Sequence, residues 1–181
     1  MQFNELKATQ AAAHLLRLRG GRMSYMKLIK LLYLADRASL IKRGRPISTD
    51  RFVSMDRGPV LSRILDLATD GDIPGSPQIW AVHISEPSNY SVTLAQDPGR
   101  DELSDMDLSI LNAVFAEHGR KTRWELVDFC HTLPEWQNPN GGAIPIQVRD
   151  ILRSEGKTEL EASAVEAELS ALNHADLVFR S

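Results

Sequence analysis

Apolar positions along the chain fall into blocks with helical spacing, interrupted by one stretch of strict alternation. The first block, residues 4–19, sets Leu6, Ala12, Ala13, Leu15, Leu16 and Leu18 at helical intervals and stops at Gly20 and Gly21. The next is different in kind. Between Met26 and Ile41, apolar side chains at 26, 28, 29, 31–35, 38, 40 and 41 cover most of a helix circumference, which predicts a helix enclosed by other elements. Ser24 stands where its N-cap belongs, and Gly44 with Pro46 forms the matching stop. Phe52 to Met55 predicts a short strand. Pro59 opens a third helix carrying Val60, Leu61, Ile64, Leu65, Leu67 and Ala68, ended by Gly71 and Pro74.

The alternating stretch follows. Trp80, Val82 and Ile84, then Tyr90, Val92 and Leu94, predict a hairpin turning near Pro87-Ser88-Asn89 with its apolar residues on one face. Ser104 caps a helix to about His118, with Leu108, Leu111, Val114 and Phe115 inward. Thr122 caps another that carries Trp124, Leu126, Val127, Phe129 and Cys130. A loop over 134–145 precedes helices near 147–154 and 159–173, the last acidic and read as a C-terminal arm. The expected fold is mainly α (α+β): one compact helical domain over 1–181, built around a buried central helix, with one small antiparallel hairpin or sheet.

With 181 residues and 43% hydrophobic content, the chain can bury one sizeable core. The N-terminus lacks the order of a signal peptide and no stretch reaches membrane-spanning length, so a cytoplasmic protein without a membrane partner is expected. A lone cysteine, Cys130, provides no disulfide framework. Charge is uneven: residues 1–51 carry 11 of the 21 Lys and Arg and three acids, a balance of +8, which leaves −11 on the remainder. Such a split marks either a basic face aimed at nucleic acid or at an acidic protein partner, or two halves of one fold that complement each other.

Catalytic chemistry is hard to place. Gly156-Lys157-Thr158 ends like a phosphate-binding loop, but position 151, where the first glycine would stand, is Ile151. Cys130 and His131, adjacent on a helix, point about 100° apart and do not face each other. Asp128 and His131 share a helix face with no second pair to complete a metal site. His14, His83, His118 and His174 are scattered, and no carboxylate pair stands in an apolar setting. The expectation is a non-enzyme without metal or cofactor.

Surfaces remain. Lys27, Lys30 and Arg37 lie along one side of the central helix, and Arg43, Arg45 and Arg51 extend the basic density beyond it. This reads either as a solvated stripe paired internally with Asp36 or the acidic half, or as a partner-binding face. Trp80, Tyr90 and Trp136 are the other candidates. Trp136, following Pro134 in a loop, is the one held rigid for recognition. The apolar hairpin face offers a surface for a homodimer.

Lys27, Leu28, Lys30, Leu31, Leu32 and Tyr33, then Gly44 and Pro46, then Gly58, Pro59 and Val60, and finally His131, Pro134 and Trp136 follow one another in an order that resembles the Panacea domain, the SocA-like antitoxin family. The chain departs from the commonest form at Ile29 and at Met55-Asp56-Arg57. The resemblance implies that Leu28, Leu31, Leu32, Tyr33, Gly44, Pro46, Gly58, Pro59, Val60 and His131 are structural positions of the family motif. It also implies a non-enzymatic, phage-associated antitoxin that binds and neutralises a co-encoded protein toxin, in one subgroup by handing it to the ClpXP protease. The alternatives are a DNA-binding regulator of its own operon and a mobile-element enzyme of unrecognised type.

Overall fold

The first helix, α1 (Glu5–Leu18), starts where the Asn4 side chain accepts the Lys7 amide, and leads through Gly20-Gly21 into strand β1 (Arg22–Ser24). The computed structural model describes residues 3–71 and 73–178, with side chains to 172. Helix α2 (Tyr25–Arg43) is the expected central helix, with Leu28, Leu31, Tyr33 and Leu40 wholly buried and Gly44 closing it in the left-handed region at φ 75°. Ser24 occupies its N-cap, but the hydroxyl makes no capping bond; the first-turn amide of Tyr25 donates instead to the Tyr90 carbonyl.

Around α2 are packed α1, α3 (Ser62–Asp70), α5 (Asp105–His118), α6 (Arg123–His131) and α7 (Val148–Ser154), and α8 (Glu159–Val178) lies on α7. Both α5 and α6 begin with a full capping box, Ser104 with Asp107 and Thr122 with Glu125, as their serine and threonine caps predict. The fold is mainly α with a small antiparallel component. Among the described residues that component is two sheets: β1 pairs with β4 (Ser91–Thr93), and β2 (Phe52–Ser54) lies between β3 (Val60–Leu61) and β5 (Ile144–Pro145). No helix among the described residues is long and apolar enough to cross a membrane.

The hairpin over 80–94 is corrected. Ile79–His83 is a short helix, α4, and β4 takes β1 as its partner, with Met23 opposite Val92. Positions 80 and 84 satisfy a helix as well as a strand, because residues four apart share a helical face. The Trp80 amide donates to the buried Glu5 carboxylate at 2.9 Å, which holds the first turn of α4 against α1. Trp80 and Ile84 are therefore core, while Val82 is 53% and Tyr90 64% exposed. Only the Ile84–Leu94 and Ser88–Ser91 bridges survive of the expected pairing, and the single apolar face offered for a homodimer does not form.

The third helix starts later than Pro59 predicts. Val60 and Leu61 pair with Val53 and Phe52, and the carboxylate of Asp50 accepts the amides of Arg63 and Ile64 from a distant stretch of chain, fixing the start of α3 at Ser62. The C-terminal helix, read as an arm, packs through Ala162 and Val165, the latter within 3.5 Å of a Cβ placed at Gly44.

Candidate partner-binding surface

The basic residues of the N-terminal third do not form an open stripe. Lys27 is 6% exposed, and its ammonium donates to the carbonyls of Gly119 and Lys121 at 2.6 and 2.7 Å, satisfying the C-terminal end of α5. Burial, with Arg19 close by, lowers its pKa. Lys30 is more deeply buried and donates to the Pro59 carbonyl at 2.7 Å. Arg37 reaches Glu135 through Nε at 2.7 Å and Glu155 through Nη2 at 2.7 Å. Burial works against its charge and the two carboxylates outweigh it, so its pKa moves up. Arg43 pairs with the buried Asp107 and donates to the Ser39 hydroxyl at 2.7 Å. Arg45 and Arg51 are exposed.

Internal pairing is thus the observed use of the Arg37 and Arg43 charge, and its partners Glu135, Glu155 and Asp107 come from the acidic half of the chain and not from Asp36. Asp36 instead accepts the amides of Ile47 and Ser48 and the Ser48 hydroxyl, tying down the loop after α2; burial pushes its carboxyl up to about 7.

The motif positions converge on one short turn, Met55 to Pro59, between β2 and β3. Lys30 holds the Pro59 carbonyl from below. His131, at the end of α6, donates through Nε2 to the Asp56 carbonyl at 3.0 Å, and Trp136 donates through Nε1 to the Met55 carbonyl at 3.0 Å. The two rings lie 4.2 Å apart, and the Gly141 amide donates to the Asp56 carboxylate at 2.9 Å. Trp136 is consequently a half-buried bracket beneath the turn, while Pro134 is exposed.

Gly58 stands at φ 87°, and a Cβ there would meet the Cys130 Cβ at 3.1 Å and the Lys30 ammonium at 3.2 Å. Gly58→Ala is expected to cost about 1–3 kcal/mol in a urea titration, from backbone strain and this crowding; an unchanged midpoint would show that the turn relaxes freely. Burial pushes the Cys130 thiol up to about 11, which makes it a neutral packing group. Among the described residues, no group of three His, Cys, Asp or Glu side chains is placed to hold a metal ion.

Held this way, the turn projects Arg57 outward. Its guanidinium lies 5.9 Å from the centre of the Trp124 ring, and that of Arg123 lies 5.3 Å from Trp124 and 5.1 Å from Tyr90. Trp124 is 51% exposed, so Arg57, Trp124, Arg123 and Tyr90 form a continuous solvent-facing row of alternating cations and rings. The Thr122 capping box fixes Arg123 and Trp124 on the first turn of α6, and Tyr90 is aimed by a positive φ of 61° just before β4. Arg22, on the neighbouring strand, and Arg120 add exposed positive charge.

Of the residues singled out in the sequence, this row contains Tyr90 alone. By pattern Trp124 belongs with the apolar residues of its helix, and Arg57 and Arg123 carry no periodic signal because the row is assembled from three separate elements.

Next to Arg57 a cavity of about 270 Å³ opens, lined by Tyr25, Met26, Ile29, Lys30, Val60 and Leu65 among others. Through Met55, Val60 and Leu65 it continues into a groove of about 880 Å³ over β2 and β5, bounded by Leu169 of α8.

The sequence model of the antitoxin SocA-like family, Panacea domain, matches residues 28–137. The chain belongs to this family. The Panacea segment runs from the first turn of α2 to the residue after Trp136, and so takes in the pinned turn, its brackets Lys30, His131 and Trp136, and the whole Arg and aromatic row. Comparison with curated proteins and with solved structures gave no match.

Proposed function

We propose that this chain, as one domain over 1–181, is a cytoplasmic, non-catalytic antitoxin that binds a co-encoded protein toxin and neutralises it by direct contact. The observation that carries the reading is the Arg57–Trp124–Arg123–Tyr90 row on a chain of the Panacea family. Trp, Tyr and Arg are the side chains in which binding energy concentrates at protein interfaces. Here the cation–ring stacking and the pinned turn hold them in place before contact, which lowers the entropy lost on binding. The positive charge of Arg57, Arg123, Arg22 and Arg120 favours an acidic patch on the toxin and speeds encounter. Delivery of the toxin to ClpXP would add a second contact elsewhere on the domain and work through proximity.

The test is charge reversal. Arg57→Glu with Arg123→Glu is expected to slow association with the toxin at least tenfold and flatten its salt dependence, with thermal unfolding unchanged because neither side chain is buried. Unaltered association kinetics would remove the row from the interface. Operator DNA is the second reading, favoured by the same arginines and rings, which suit phosphates and bases. A band shift of operator DNA that weakens steeply with salt would support it.

A further inference from the structure

The cavity beside the pinned turn is apolar within and cationic at its mouth. Met26 and Ile29 from the first turns of α2, with half-buried Tyr25, Met55 and Leu65, line it, and exposed Arg57 and Thr69 stand at its rim. The other polar groups around it are engaged within the fold. The Lys30 ammonium lies under the turn on the Pro59 carbonyl, and the Asp56 carboxylate accepts the Gly141 amide. Arg57 is the exception: its guanidinium faces the Trp124 ring and forms no ion pair among the described residues. At about 270 Å³ the cavity is smaller than the pockets that enclose small-molecule ligands, roughly 300–1,000 Å³, and takes one bulky side chain.

The cavity also borders the row of arginines and rings at two points. Arg57 is common to both, and at the far end of the row the Tyr25 amide donates to the Tyr90 carbonyl at 3.0 Å. Cavity and row are thus one surface, an apolar recess edged by cations and aromatic rings. Interface hot spots have this layout: an anchor side chain fills a pocket while the contacts around it exclude water. The charge at the rim sets the company such an anchor keeps. Lysine or arginine beside it would be brought against Arg57 and Arg123, whereas a carboxylate would be attracted to them.

We propose that this recess takes one bulky apolar side chain, a leucine, methionine or phenylalanine, from a protein partner, and that an aspartate or glutamate next to it in the partner's chain pairs with Arg57. Met26 and Met55, unbranched and adaptable, let the recess fit any of the three. The proposal rests on the partner-binding reading of the row and adds to it the kind of residue pair by which the partner is recognised.

Two arms test it, the first without toxin. The full chain labelled at methionine methyls is titrated with acetyl-Asp-Leu-Asp amide, acetyl-Asp-Ala-Asp amide and acetyl-Lys-Leu-Lys amide. The Asp-Leu-Asp peptide is expected to shift the Met26 and Met55 signals and to bind at least tenfold more tightly than either of the others. In the second arm Thr69→Trp, an exposed substitution at the rim, closes the mouth. It is expected to raise the dissociation rate of the toxin complex at least tenfold, with the salt dependence of association and the urea midpoint unchanged, while Thr69→Ser behaves as wild type. Equal binding of the three peptides, unshifted Met26 and Met55, or a Thr69→Trp complex as long-lived as wild type would overturn the proposal. A toxin complex lost with Arg57→Glu and Arg123→Glu but kept by Thr69→Trp sinks the recess and leaves the row. A neighbouring gene product that never binds, while the Asp-Leu-Asp peptide shifts both methionines, sinks the toxin reading and leaves the recess.

Discussion

Glu135→Ala lowers the stability of the domain by about 3–5 kcal/mol, the loss characteristic of stripping one partner from a buried ion pair. The Glu135 side chain is wholly enclosed. It accepts the Tyr33 hydroxyl at 2.7 Å and two donors of Arg37, at 2.7 and 3.2 Å, so the loop carrying Pro134 and Trp136 is anchored to the middle of α2 by one carboxylate. Alanine leaves the phenol without its acceptor and Arg37 with Glu155 alone, which is 38% exposed. Urea unfolding at pH 7 measures the loss. Glu135→Gln retains an acceptor for Tyr33 and is expected to fall between wild type and alanine. Arg37→Met combined with Glu135→Leu should recover most of the stability, since the penalty belongs to the orphaned charge more than to the missing attraction. A loss below about 1 kcal/mol for Glu135→Ala would mean that water reaches Arg37 and that the network has the weight of an exposed pair.

Lys30→Met has the opposite sign. Burial lowers the Lys30 pKa to about 8 from an unfolded value of 10.5. Below pH 8 the folded chain therefore carries the full cost of an enclosed cation, about 3 kcal/mol. Between pH 8 and 10.5 the unfolded chain holds a proton that the folded chain has released, so this group makes stability rise with pH. Cys130 acts the other way from about pH 9, because its thiol is pushed up to about 11 and the folded chain keeps a proton that the unfolded chain loses. The clean window is pH 8 to 9. There the wild type gains about 1 kcal/mol relative to Lys30→Met, and at pH 7 the variant is more stable by about 1–3 kcal/mol after loss of the hydrogen bond to Pro59. Parallel pH profiles for the two proteins would show that Lys30 folds without this cost.

The helical scaffold was legible because its signals are local. The all-round apolar pattern of α2, the serine and threonine caps of α5 and α6, and the Gly44 stop each depend on neighbours in sequence, and the structure shows them where those neighbours put them. The misread segments are those whose conformation is decided from far away. Trp80 to Ile84 is short enough to fit either period, and Glu5, 75 residues earlier, selects the helix. The start of α3 is chosen by Asp50, and strand β4 by β1.

The surface was less legible for the same reason. Lys27, Lys30, Arg37 and Arg43 look like a basic stripe until Gly119, Pro59, Glu135 and Asp107 are brought to them. Arg57, Trp124, Arg123 and Tyr90 look unrelated until a turn, a helix N-terminus and a strand end meet. Motif residues such as Gly58, His131 and Trp136 could be named from the sequence, but their common task of holding one turn follows only from hydrogen bonds that span more than 70 residues.

The most direct test of the account is co-expression of the reading frame adjacent to this gene with wild-type protein and with the Arg57→Glu, Arg123→Glu form, scored by growth and then by co-purification. The account predicts that the wild type rescues growth and co-purifies with the toxin, while the doubly substituted protein accumulates in folded form and does neither. Rescue and co-purification by both forms would contradict the assigned surface, and a harmless neighbour that never co-purifies with the wild type would contradict the antitoxin function itself.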